Sequence, residues 1–148
     1  MLPFEGGTPM TIEEVVSQLA ESAEKNDLEG ITLLGGEPLS HAAAGAALGR
    51  VAHERGLDVM VFTGHLLEDA RAMSDPAIAE LLAETDILVD GPYVRDLPET
   101  TRRWIGSSNQ RVHFLSQRCD PNDPRWLSKN TLEIRLRDGE LTVNGFPA

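Results

Sequence analysis

Cysteine is all but missing from this chain: Cys119 is the only one in 148 residues. That excludes an internal disulfide, and any zinc or iron–sulfur site built from three or four thiolates of this sequence alone. Cations are scarce as well, 13 Lys and Arg against 24 Asp and Glu, for a formal net charge of −11. Binding along nucleic acid requires Lys and Arg to displace phosphate counterions, so no nucleic-acid partner is expected, and the acidity serves solubility. Arg102, Arg103, Arg111 and Arg118 form a local basic patch, read as solvated surface. Long apolar runs are absent too. Nothing approaches the roughly eighteen residues of a membrane span, and residues 1–5 carry neither a basic nor an apolar leader segment. No membrane partner and a cytoplasmic location are the expectation. What is present, 41% hydrophobic and 25% charged residues, is globular and sized for one domain over residues 1–148.

Thr11-Ile12-Glu13-Glu14 reads as a capping box, followed by Ile12, Val15, Val16, Leu19 and Ala23 at helical spacing, which predicts a helix over residues 12–25. Residues 30–34 (GITLL) form a short strand ended by Gly35-Gly36. Ser40 is placed to cap an alanine-rich helix over residues 41–55, with Gly56 as its left-handed terminator. Residues 58–62 (DVMVF), 86–89 (DILV) and 111–115 (RVHFL) are three further strands, and residues 66–73 and 76–83 two short helices. Short apolar strands alternating with helices predict an α/β fold with a parallel sheet. In the tail, Leu132, Ile134 and Leu136 alternate with charges up to Asp138-Gly139, which predicts an antiparallel hairpin over residues 131–144, added to the sheet.

Ligands in parallel α/β sheets bind at the carboxyl ends of the strands. Those ends carry Gly35-Gly36-Glu37-Pro38, Thr63-Gly64-His65, Asp90-Gly91-Pro92-Tyr93 and Ser116-Gln117-Arg118, expected to converge on one rim. Bare glycine backbone lets a ligand approach, and a carboxylate beside it accepts from an ammonium group. Alone, Gly-Gly-Glu reads more readily as a plain turn with a solvated glutamate.

Taken together, ITLLGGEPL, VMVFTGH, DILVDGPYV and GSSNQRV, in this order and spacing, resemble the radical-SAM activating enzymes, most closely the activating proteins of anaerobic ribonucleotide reductase. The likeness covers residues 2–118. It implies a partial parallel (β/α) barrel and reductive cleavage of S-adenosylmethionine (SAM) at a [4Fe–4S] cluster. The partner it implies is a large glycyl radical enzyme, anaerobic ribonucleotide reductase, with a flavodoxin or ferredoxin as electron donor. Carried over by position, Gly35, Gly36 and Glu37 would hold the SAM amino group, Pro38 would shape the turn, and Thr63 and Asp90 would lie nearby. Gly106, Ser107, Ser108, Asn109, Gln110 and Arg111 match a family marker without an assigned role, expected on the opposite face from the rim unless their loop folds back.

The departure is the CxxxCxxC loop of the family, which this sequence does not contain. Residues 2–7 resemble the stretch just after that loop, so the chain is expected to be an N-terminally shortened member, with its first strand missing and a sheet edge uncovered. No metal ligands and no catalytic residue are assigned. Cys119 is expected to be an inert thiol. His41, His53 and His113 are expected to pack or face solvent, and His65 to sit at the rim within reach of a ligand. Trp104 and Trp126 are expected to cover the core. Two other readings remain: a non-catalytic SAM- or partner-binding module of the same descent, and a radical-SAM peptide maturase. Anaerobic iron and sulfide reconstitution of these 148 residues is expected to yield no stoichiometric cluster and no cleaved SAM, checked by iron analysis and by chromatography for 5′-deoxyadenosine.

Overall fold

The computed structural model describes residues 8–26, 28–127, 133–137 and 140–144; residues 2–7 and the Asp138-Gly139 turn lie outside them. Helix α1 (Ile12–Lys25) opens on the capping box its sequence announces. Thr11 Oγ1 accepts from Glu14 N at 3.2 Å, and the Glu14 carboxylate accepts from Thr11 N at 2.7 Å. Strand β1 (Gly30–Leu33) follows, then a 3₁₀ turn over Pro38–His41, helix α2 (Ala42–Glu54) and strand β2 (Asp58–Phe62). Helices α3 (Leu67–Ala72) and α4 (Pro76–Ala83) lead to β3 (Ile87–Asp90) and β4 (Arg111–Phe114).

Two local signals resolve differently. Ser40 does not cap α2. α2 follows His41 with no side-chain cap, because the 3₁₀ turn over Pro38–His41 leads straight into it; Glu37 caps that turn, its side chain accepting from Leu39 N, and Pro38 has its φ preset for the first position. Gly56, in contrast, ends α2 as expected. It sits at φ +76°, with Gly56 N donating to His53 O and Leu57 N to Ala52 O, both at 3.0 Å. Leu57 is thereby turned into the core.

The sheet runs β1-β2-β3-β4. β1, β2 and β3 are parallel, with Ile31 opposite Val59 and Val61 opposite Leu88. β4 is antiparallel to β3, pairing Asp90 with Arg111 and Ile87 with Phe114. The sheet is therefore mixed, which corrects the all-parallel expectation at its last strand. A parallel neighbour needs a crossover that carries the chain back to the far end. Residues 91–110 contain no helix and stay at the end where β3 finished, so β4 starts there and runs back. Among the described residues β1 pairs only with β2, leaving its other edge open.

On the face that carries Val59, Val61 and Leu88, the 3₁₀ turn and helices α2, α3 and α4 contribute Leu39, Ala42, Ala46, Ala52, Leu67, Ala70, Ile78 and Leu81 to one buried cluster, against which α1 packs the partly buried Leu19 and Ala23. The opposite face holds Ile87 and Val89. There Trp126 meets Phe114 edge-on at 5.1 Å and Trp104 meets Trp126 at 4.9 Å, so the tryptophans cover apolar surface as expected. Strands β5 (Glu133–Arg137) and β6 (Glu140–Asn144) form the expected antiparallel hairpin, but as a separate two-stranded sheet and not as an addition to the first. Among the described residues no helix is long and apolar enough to cross a membrane.

The buried stripe of α2, Ala42, Gly45, Ala46, Gly49 and Ala52, is made of small residues because α4 lies close against it. A Cβ at Gly49 would come within 2.8 Å of Glu84 Cβ, and one at Gly45 within 3.0 Å of Leu81. Gly49→Val is expected to cost about 1–3 kcal/mol through overpacking. Ala43→Val, exposed on the same helix, is expected to cost about 0.5 kcal/mol from propensity alone. Urea unfolding midpoints check both.

Candidate functional site

Where β1 ends, the chain turns on Gly35 (φ +85°) and Gly36 (φ +56°), conformations that other residues adopt only with strain. A Cβ at either position meets nothing within 4 Å, so the pair borders open space. Glu37 comes next in extended conformation and is half-buried. Three donors converge on its carboxylate. Leu39 N (3.0 Å) and Thr63 Oγ1 (2.8 Å) donate to Oε1, and Gly64 N (2.9 Å) donates to Oε2. Glu37 thus ties the end of β1 to the end of β2.

The end of β3 is tied by a second carboxylate. Asp90 is fully buried. Oδ2 accepts from Leu67 N at 2.7 Å, the first residue of α3, and Oδ1 accepts from Arg111 Nε at 2.9 Å. Arg111 also donates to Asp90 Oδ2 and, at 2.7 Å, to Glu68 Oε2. His113 Nε2 is 3.0 Å from Asp90 Oδ2 but off the line of a hydrogen bond. Burial opposes the charge of Asp90; the guanidinium, the Leu67 N–H and His113 outweigh it and hold the acid below its ordinary value. Asp90 and Glu68 in turn push the Arg111 pKa up.

Residues 91–110 fold over this rim as a polar clasp. Gln110 Nε2 donates to Gly91 O (3.1 Å), and its Oε1 accepts from Gly106 N and Ser107 N. Asn109 Nδ2 donates to Pro92 O at 2.8 Å, and Ser107 Oγ accepts from Val94 N. Arg102 donates to Gln110 O and Ser108 O, while Glu99 accepts from the backbone of Thr101 and Arg102. The Thr101 N–H leads the contacts that bring Glu99 down to about 2. The GSSNQR segment therefore lies at the rim, locking Asp90-Gly91-Pro92 in place, and not on the opposite face. The positions were visible in the sequence; their role was not, because it consists of hydrogen bonds to carbonyls some twenty residues away.

The strand-end residues divide accordingly. Gly35, Gly36, Glu37, Pro38 and Thr63 are brought together. Asp90 is one strand away, joined through Thr63 N to Val89 O at 2.9 Å, with its carboxylate turned to Arg111 and α3. His65 is exposed at the rim, as expected, and its carbonyl accepts from Gly91 N. Ser116-Gln117-Arg118 is not at the rim. The reversed β4 takes it to the other end of the sheet, where Ser116 Oγ donates to buried Asp86.

Asp86 is a node that sequence reasoning missed. It also accepts from Val59 N (2.8 Å) and faces His53 Nε2 (2.9 Å), whose Nδ1 faces Glu84 (3.1 Å). Burial opposes its charge, and Ser116, His53 and Val59 N–H together overcome it. Cys119 lies at this end too; burial, then Asp58, pushes its thiol up to about 12, the inert group anticipated. Among the described residues no group of three or more His, Cys, Asp or Glu could hold a metal ion.

The fold and the rim define an α/β protein with a carboxylate and bare glycine backbone at its strand ends. The model of the 4Fe-4S single cluster domain family matches residues 1–113. Anaerobic ribonucleoside-triphosphate reductase-activating proteins are similar: that of Escherichia coli K12 is 34% identical over 70% of this chain and 66% of its own length. The phage T4 protein is 32% identical over 66% of this chain and 60% of its own, and that of Pasteurella multocida 30% identical over 77% and 74%. The chain belongs to the 4Fe-4S single cluster domain family and to the anaerobic ribonucleoside-triphosphate reductase-activating proteins. The aligned region spans just under two thirds of the length of the first two of these relatives. No solved structure matches the chain.

Asp86, Asp90 and Glu99 all titrate below their ordinary values when folded. A depressed carboxylate stabilises the fold fully above its unfolded value and ceases to do so as pH falls through the folded one. Stability is therefore expected to fall with pH below about 4, Glu99 contributing down to about 2. Asp90→Asn should lower stability at pH 7 and flatten that acid slope, checked by urea unfolding across pH 2–7.

Proposed function

We propose that this chain supplies the SAM-holding rim of a radical-SAM activating protein whose partner is the anaerobic ribonucleotide reductase. The observation that carries the reading is the Glu37 carboxylate, fixed by three donors beside two glycines that border open space. A carboxylate has about four acceptor positions, so one remains for the ammonium of the methionine moiety. Gly35 and Gly36 offer backbone without side chains, Pro38 sets the turn, and Asp90 acts indirectly, by fixing β3 and α3 beside the rim. SAM bound there would supply the adenosyl fragment on which activases of this kind depend.

The cluster is a different matter. Three thiolates are needed, the sequence contains one, and Cys119 sits at the opposite end of the sheet from Glu37, beside Asp58 and Asp86. The residues present do not fit a [4Fe–4S] group, and no chemical step is routed through one. That same observation favours a second reading, a SAM- or partner-binding module without redox chemistry. The names of the relatives support the reductase as partner over a peptide substrate.

Titration calorimetry of the 148-residue chain with SAM is expected to give saturable one-to-one binding, and Glu37→Ala to weaken it at least about tenfold, the scale of a lost charge-assisted hydrogen bond. Wild-type protein with no SAM heat would sink the proposal. Electron paramagnetic resonance of the reductase mixed with the chain, SAM and a reductant separates the two readings: a glycyl radical signal supports activation, and its absence supports the module.

A further inference from the structure

The resemblance places Thr63 near the ligand without giving it a task, and its surroundings suggest one. Thr63 is 3% exposed, so it offers a ligand almost no surface. Its hydroxyl proton goes to Glu37 Oε1 at 2.8 Å, and its oxygen accepts from His65 N at 3.2 Å. Both capacities are directed within the protein, in a chain running from the His65 N–H through the Thr63 hydroxyl to the Glu37 carboxylate, in which each bond polarises the next.

The two oxygens of Glu37 are consequently unequal. Oε1 takes two donors, Leu39 N and Thr63 Oγ1, which uses both of its lone pairs. Oε2 takes one, Gly64 N at 2.9 Å. The only acceptor position left is on Oε2. Gly64 stands next to it: a Cβ built there would lie 3.5 Å from Oε2 and meet nothing else within 4 Å. A side chain at position 64 would therefore stand in van der Waals contact with Oε2 and narrow the approach to its open lone pair.

We infer that Thr63 is a positioning residue, which occupies Oε1 so that Glu37 presents a single lone pair, on Oε2 beside Gly64, to one N–H of a ligand ammonium group. The inference rests on the SAM-binding reading and adds to it the residue that aims the carboxylate and the oxygen that is left to face the ammonium. Without the Thr63 hydroxyl the carboxylate is held by Leu39 N and Gly64 N alone and a second lone pair opens on Oε1, so the acceptor offered to a ligand is no longer single or fixed in direction; a smaller hydroxyl side chain keeps it so.

The test is calorimetry with SAM on wild-type protein, Thr63→Val, Thr63→Ser and Gly64→Ala, with melting temperatures measured alongside. Thr63→Val keeps shape and volume and is expected to weaken SAM binding about tenfold. Thr63→Ser should stay within about twofold of wild type, a rescue that a simple packing role would not give, since serine loses the methyl that valine retains. Gly64→Ala should weaken binding as much as Thr63→Val, with the melting temperature held. Wild-type affinity in Thr63→Val, or equal loss in Thr63→Val and Thr63→Ser, would overturn the inference while leaving SAM binding intact. Wild-type affinity in Gly64→Ala would overturn the choice of Oε2. A wild-type chain that does not bind SAM overturns both this inference and the reading beneath it.

Discussion

Carboxylates that accept backbone N–H groups from a neighbouring element hold this structure together at the strand ends. Asp86 at the start of β3 accepts from β2 through Val59 N, and Asp90 at its finish accepts from α3 through Leu67 N. Glu37 does the same between the β1 and β2 ends through Gly64 N. The buried two, Asp86 and Asp90, also meet Arg or His. Such groups are stabilising only while complete, since removing one partner leaves a buried charge uncompensated, at a cost of about 3–5 kcal/mol. They fix direction as well as energy: each names one register of one element against another, which the apolar contacts of Val59, Val61 and Leu88 do not.

The reversal of β4 reorganises the molecule around those anchors. Because β4 runs back from the rim, the segment before it, GSSNQR, is gathered at the rim, and the segment after it, Ser116 to Arg118, is sent to the far end. Two polar clusters are therefore separated by the length of the sheet. One contains Glu37, its glycines and the 91–110 clasp; the other contains Asp86, His53, Glu84 and the unreactive Cys119. The charges at the far end are matched among themselves: His53 with Glu84 and Asp86, and Arg118 with Asp58 and Asp86.

Family membership and chemistry diverge in this chain. Its relatives are activating proteins and its family model is that of a single 4Fe-4S cluster, yet the thiolate count stops at one. The proposed recognition of an ammonium group would require only a carboxylate with a fixed direction, and backbone and hydroxyl donors give Glu37 one.

How much of this was legible beforehand follows from the range of each interaction. The capping box at Thr11, the Gly56 terminator, the positions of the strands and the rim composition at Gly35, Gly36, Glu37 and Thr63 were all readable, because each is set by residues within about one helical turn or by the period of apolar side chains. The cap of α2 was misplaced at Ser40 because Pro38 opens a 3₁₀ turn, capped by Glu37, that takes in Ser40 and runs into the helix without a side-chain cap. The direction of β4, the clasp of residues 91–110, the node at Asp86 and the lone pair that Glu37 leaves open were decided only by the fold. Each depends on donors and acceptors that a linear pattern keeps some twenty to thirty residues apart, and only the packed sheet brings them within 3 Å of one another.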